Sequence, residues 1–249
     1  MKRSAIILGS VLLLGACGFS AGAKDGKETS GTATSGEQIR RNYQVAGFDR
    51  VALAGPHNVI VTVGGAASVR AEGDSKLIER LEITVKDGEL RIGEKDRSGF
   101  SWSSNNRQAL TIYVTAPSLR SAAVAGSGDL KVDKVEGKTF AAAIGGSGNI
   151  DLPSMKVEEA SFAIGGSGNI KAVGTAATSA ASIGGSGDLD LAGFETRQTK
   201  VSIAGSGNVT ARATEAADIN IVGSGDVTLA GGAKCTISKM GSGEARCTG

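Results

Sequence analysis

The sequence is poor in aromatic, histidine, cysteine and proline residues. Aromatic side chains make up 4% of its 249 residues, and there is one Trp, one His, three Pro and three Cys. Each scarcity excludes something. Large globular cores are normally filled with bulky rings, so this chain calls for a slim core of small aliphatic side chains. A single histidine, His57, cannot supply a histidine-based metal site or a base for each of several repeated serines. No apolar run reaches the ~20 residues that cross a bilayer as a helix. An excess of charge is missing too: the formal net charge is only +2.

The N-terminal apolar run is short and has the order of an export signal. Lys2 and Arg3 give a positive start, Ala5 to Leu14 is apolar, and small residues follow at Gly15 and Ala16. Leu14-Gly15-Ala16-Cys17 resembles the lipobox of bacterial lipoproteins, in which the cysteine is lipidated and becomes the first mature residue. Cleavage after Ala21-Gly22-Ala23 is the competing reading. Gly18 after the cysteine, by resemblance to enterobacterial sorting, directs the expectation to the outer membrane. Residues 1–16 are thus expected to be a signal peptide, with Cys17 the lipid anchor. Their removal takes away two bases and no acid, so the mature chain is formally neutral. A neutral chain gives no support to nucleic-acid binding, which rests on clustered basic charge.

Residues 17–44 are Gly, Ser, Thr, Ala and charge with little to bury, the composition of a flexible tether between membrane and fold. Residues 45–249 are expected to form the folded domain. Cys235 and Cys247 remain after lipidation, and an even pair in an oxidising compartment reads as a disulfide. Both fall in phase with inward positions of the last repeat.

That repeat is the dominant feature. Gly-Ser-Gly followed by an acid or amide recurs with serines at 127, 147, 167, 186, 206, 224 and 242, at spacings of 18–20 residues. Three residues before the serine stand Val124, Ile144, Ile164, Ile183, Ile203 and Ile221, and five before stand Ala122, Ala142, Phe162, Ala181, Val201 and Ile219. Leu130, Ile150, Ile170, Leu189, Val209 and Val227 stand three after, and Val132, Leu152, Ala172, Leu191, Ala211 and Leu229 five after. Alternate apolar positions on both sides of a turn mean two short strands with one buried face each. A register kept over seven copies favours a β-solenoid, an all-β parallel β-helix with like residues stacked on like, over a sandwich. The residue closing each turn is Asp129, Asn149, Asn169, Asp188, Asn208, Asp226 or Glu244, with Asn58 in the distant copy Gly55-Pro56-His57-Asn58. Stacked coil on coil, these are expected to form a structural ladder along one corner.

Residues 76–117 interrupt the repeat. Ile83-Thr84-Val85 and Leu90-Arg91-Ile92 flank Asp87-Gly88, a strong hairpin signal. Residues 98–108, with Phe100 and Trp102, read as an exposed loop. These two aromatics are the candidate binding loop, weighed against the alternative that they cover an open end of the solenoid.

Phe48-x-x-Val51, Gly55-Pro56-His57-Asn58-Val59, Lys86-Asp87-Gly88-Glu89-Leu90, Ile112-Tyr113-Val114-Thr115-Ala116-Pro117, Leu119 and Gly126-Ser127-Gly128-Asp129 follow one another in order. With these motifs the chain resembles the head GIN domain family, described as putative auto-transporter adhesins, over about residues 45–235. The resemblance implies a right-handed β-helix and a surface-adhesion role. Pro56-His57 departs from the Ser-Gly of the later turns, which puts the geometry of the first turn in question.

No catalytic constellation stands out. Gly145-Gly146-Ser147-Gly148-Asn149 is similar to a calcium nonapeptide repeat, but Ile150 takes its acidic position and the period is about 20, not 9. The turn serines lack the glycine two residues on that a nucleophile elbow requires. Polysaccharide-cleaving β-helices need convergent carboxylates, whereas Asp129, Asp188 and Asp226 belong to the turn pattern. The expectation is a non-catalytic envelope lipoprotein with no cofactor and no metal, held to the membrane by its lipid and binding a glycan or protein. Self-association through the solenoid ends is the second reading and a carbohydrate-active enzyme the third.

Overall fold

The computed structural model describes residues 37–95 and 110–249. Strand covers 71% of the described residues and helix 3%. The elements in chain order are β1 (Gln38–Tyr43), β2 (Arg50–Ala54), β3 (Asn58–Val63), β4 (Ser68–Asp74), α1 (Ser75–Arg80), β5 (Leu81–Lys86), β6 (Glu89–Glu94), β7 (Thr111–Ala116), β8 (Ser121–Ala125) and β9 (Asp129–Val132). Longer strands follow: β10 (Val135–Ile144), β11 (Asn149–Ile164), β12 (Asn169–Gly185), β13 (Asp188–Gly205) and β14 (Val209–Gly223). The chain closes with β15 (Val227–Ala230), β16 (Lys234–Gly241) and β17 (Ala245–Cys247).

From β8 onward each element pairs in parallel with the one a full coil later, and the coils stack as a β-solenoid of about six turns. The register stacks like on like. Val124 pairs with Ile144, Ile144 with Ile164, Ile164 with Ile183, Ile183 with Ile203, and Ile203 with Ile221. All six are buried, as are the three other inward rows read from the sequence. Coils this narrow hold mostly Ala, Val, Ile and Leu. Phe162 and Phe194 are exceptions, and they meet edge to face with centroids 5.5 Å apart.

The turn glycines are set by how closely the coils approach at this corner. A Cβ on Gly207 would lie 2.0 Å from the carbonyl oxygen of Gly187 one coil earlier, and Gly205 adopts φ +144°. No other residue satisfies both conditions. The same contact explains the departure at His57. It aligns with Gly128, whose Cβ would strike the His57 carbonyl at 2.2 Å. The Cβ at this position points toward the neighbouring coil, which at the first turn is the β6–β7 side, and there the His57 ring lies between Leu110 and Glu94.

The N-terminal end is closed by elements outside the repeat. β4 pairs antiparallel with both β1 and β7, and β5 and β6 form the expected hairpin over Asp87-Gly88. Asp87 (φ 51°) and Gly88 (φ 75°) supply the left-handed pair that a two-residue hairpin turn requires. Helix α1 begins at Asp74, whose carboxylate accepts from the Lys76 N–H at 2.8 Å. It places Ile78, fully buried, against the mouth of the core. The segment 17–44 expected as a tether is strand over its described residues 38–43. Residues 38–43 form β1, because β4 offers them an edge and because Ile39 and Tyr43 pack against the core.

Candidate functional site

The turn ladder exists and runs coil to coil. Asp129 Oδ1 accepts from both the backbone N–H and the Nδ2 of Asn149, and Asn149 Oδ1 accepts from Asn169 Nδ2 at 3.0 Å. Asn169 Oδ1 then takes the Asp188 N–H, and Asp188 Oδ1 takes both donors of Asn208. Asn208 Oδ1 accepts the Asp226 N–H, and Asp226 Oδ1 accepts the Glu244 N–H at 2.8 Å. Except at Asn149, each of these side chains caps a backbone donor of the next coil, and asparagine adds a side-chain donor that aspartate lacks. Two acids become neighbours only at the last step, where Arg246 donates to Glu244 Oε2 at 2.6 Å. Asn58 shares the register of Asp129, but the Asp129 N–H goes to the His57 carbonyl. The ladder is structural and spends its polar groups internally.

On the outer face of the post-turn strands, charge is also spent along the stack. Lys131 pairs with Asp151 at 3.0 Å, Lys171 with Asp190 at 3.3 Å and Arg212 with Glu195 at 3.0 Å. These pairs are exposed, and each is worth at most about 1 kcal/mol. Among the described residues no group of three or more His, Cys, Asp or Glu could hold a metal ion.

His57 is buried at the capped end. The Leu110 N–H donates weakly to its Nδ1 at 3.5 Å, so the neutral ring carries its proton on Nε2, 3.5 Å from Glu94 Oε1. Arg80 Nη2 donates to the other Glu94 oxygen at 2.6 Å. Burial holds the imidazole pKa below its ordinary 6.5, with Glu94 pulling it up and Arg80 pushing it down. This cluster ties α1, β6 and the first turn together.

Three depressions mark the outer face of the pre-turn strands. One of about 840 Å³ has a floor of Ala52, Ala54, Ala123 and Ala125 beneath the β5–β6 hairpin, with Glu82 and Arg91 on its wall. The other two, of about 320 and 560 Å³, adjoin each other and share Thr178 and Ser179.

Cys235 and Cys247 are joined by a disulfide, with Cα atoms 6.8 Å apart. They stack on the inward residues Ala217 and Leu229. The isoleucine row ends beside them in Lys239, which stacks on Ile221 and turns its ammonium to the Gly243 carbonyl at 3.3 Å. In the sequence Lys239 stands three residues before Ser242, the next position of that row, where its charge breaks the apolar pattern. Cys17, Phe100 and Trp102 lie outside the described residues.

Fold and surface together define a β-solenoid domain built from 18–20-residue coils, and comparison with known proteins agrees. Residues 47–233 match the family model "Putative auto-transporter adhesin, head GIN domain", and the chain belongs to that family. It is similar in structure to a "putative adhesin" from Bacteroides fragilis at 24% identity and TM-score 0.78, covering 86% of this chain and 98% of that one. A "putative lipid binding protein" from Parabacteroides distasonis aligns at 23% identity and TM-score 0.69, over 86% and 97% of the two chains. For a "putative adhesin" from Parabacteroides merdae the values are 17%, 0.65, 85% and 97%. At these identities the likeness is one of fold. No curated protein sequence matches the chain.

Proposed function

We propose that this protein is a non-catalytic adhesion module of the bacterial cell envelope, lipid-anchored through Cys17 and facing its ligand with the outer surface of the solenoid. The observation that carries this reading is how the structure uses its polar groups. Corner amides, acids and most post-turn charges bond to the next coil, which makes a stiff scaffold, and the pair of buried His57 and Glu94 is tied down by Arg80. Catalysis requires such groups to meet at one reacting atom, whereas a repeating surface suits recognition of an extended target. Membership in an adhesin family supports the same reading. Leu14-Gly15-Ala16-Cys17 and Gly18 support an outer-membrane anchor. Self-association by stacking of ends is less favoured, because Lys234 and Lys239 charge the edge strand β16, a device that discourages edge pairing.

The test is display of the chain on a non-adherent bacterium. Cells carrying it are expected to bind target cells or a coated glycan surface. The Cys17→Ala variant should lose that binding by releasing the protein or leaving its precursor unprocessed, and a fatty-acid analogue should label only the wild type. Display without any gain in adherence would contradict the function, and an unlabelled wild type would contradict the anchor.

A further inference from the structure

We infer that the two adjoining depressions on the pre-turn face form one groove that takes an extended, uncharged polysaccharide lying along the solenoid axis. The inference rests on the adhesion reading above and names its ligand class. Thr139, Glu159, Thr178, Gln198, Ala216 and Lys234 follow one another in register on successive strands. At the ~4.8 Å strand spacing they extend over about 24 Å. Beside this row the floor is Ala141, Ser161 and Ala180, small enough to leave a trough.

Three features point to a neutral glycan. The first is the floor itself, where the depressions meet. Ser179 and Thr199 are 8% and 5% exposed and share one hydrogen bond of 2.8 Å in a row otherwise held by Phe140, Ala160 and Ala217. Two hydroxyls with one mutual bond keep one proton over, and both line the groove. The second is what the rim leaves unspent. Among the described residues the side chains of Thr139, Thr178, Gln198 and Lys200 bond to no other side chain or backbone atom. Lys200 and Asp218 are register partners of opposite sign, yet they form no ion pair, unlike Lys131–Asp151 and Lys171–Asp190 on the post-turn strands. Hydroxyls and amides that both donate and accept match sugar hydroxyls, which do the same.

The third feature is exclusion of the other polymers. The strands under the groove from β10 to β14 are paired on both sides, and the free edge at its end, β16, carries Lys234 and Lys239, which discourage an added peptide strand. Arg120, Glu159, Lys200, Asp218 and Lys234 mix both signs, which gives a polyanion no continuous basic track.

Affinity electrophoresis of the mature protein through gels containing hydroxyethyl cellulose, dextran or heparin tests this, with adhesion to target cells measured on the same preparations. The expected result is retardation by a neutral polymer and not by heparin. Ala180→Trp and Ser161→Trp, both filling the trough from outward positions, should each weaken retardation at least tenfold. Ser179→Ala should weaken it severalfold. Thr228→Trp, on the post-turn face, should change nothing, and melting curves check that each variant is folded. Retardation by heparin alone, by no polymer, or equally for the filled variants would overturn the groove. So would adhesion that trypsin treatment of the target cells abolishes and periodate does not. In these cases adhesion by the wild type would leave the functional reading standing; absence of adhesion by the wild type would remove that reading instead.

Discussion

The two ends of this solenoid close the same apolar core by different physics. At the N-terminal end the chain folds extra structure over the core: α1 with Ile78, the strand β1, the hairpin β5–β6, and His57 held against Glu94 and Arg80. At the C-terminal end it adds nothing of that kind. A disulfide joins β16 to β17 in the last coil and Lys239 ends the isoleucine row. Ile237, at an inward position, is left 45% exposed. A fold whose core is a row of identical layers has no natural boundary, so each end needs its own terminator. One terminator is packing, the other a covalent link plus a charge.

The largest expected effect lies between the ends. Ile164→Asp would place a carboxylate between Ile144 and Ile183, and an unpaired buried charge is strongly disfavoured. Loss of folding is expected by circular dichroism, whereas Lys171→Ala should lower stability by under about 1 kcal/mol. Equal stability of the two would break the register on which both ends depend. Next comes the packed end. Ile78→Ala should cost about 3 kcal/mol in urea unfolding, with proteolytic cleavage appearing first in residues 37–95. The cross-linked end follows: Cys235→Ser should cost up to about 3 kcal/mol, the chain-entropy value for a loop of this length. Its effect should be confined to residues 234–249.

A smaller effect distinguishes the ends by pH. The His57 pKa is held low in the fold and lies near 6.5 in the unfolded chain. The unfolded chain therefore binds the extra proton first as pH falls. The contribution of neutral His57 is complete above about pH 6.5 and declines below it until the folded group itself titrates. His57→Gln should flatten that decline in thermal unfolding between pH 7.5 and 5, while removal of the disulfide should leave it unchanged. An identical slope in both proteins would show that His57 is not its source.

The middle of the molecule was far more legible in the sequence than its ends. Six stacked coils put the same residue class at the same position, so Ile144, Ile164 and Ile183 announce one another. Asp87-Gly88 likewise announces its hairpin through the backbone angles it demands. Residues 38–43 carry Arg40, Arg41 and Asn42 and lack alternating apolar positions, because an edge strand over a capped core needs only Ile39 and Tyr43 for contact. Helix α1 is six residues long, too short for a helical period to show. The Ser179–Thr199 pair was hidden for another reason: its row, seven residues before the turn serine, mixes Phe, Ala, Ser and Thr and shows no pattern in any single coil.

Native-state hydrogen exchange with and without reductant tests most directly whether the two ends are closed independently. Reduction of Cys235–Cys247 is expected to speed exchange in β16 and β17, while strands β10 to β13, α1 and the β5–β6 hairpin keep their protection. Loss of protection spreading back through the stack to α1, or no change in β16 and β17, would contradict the account.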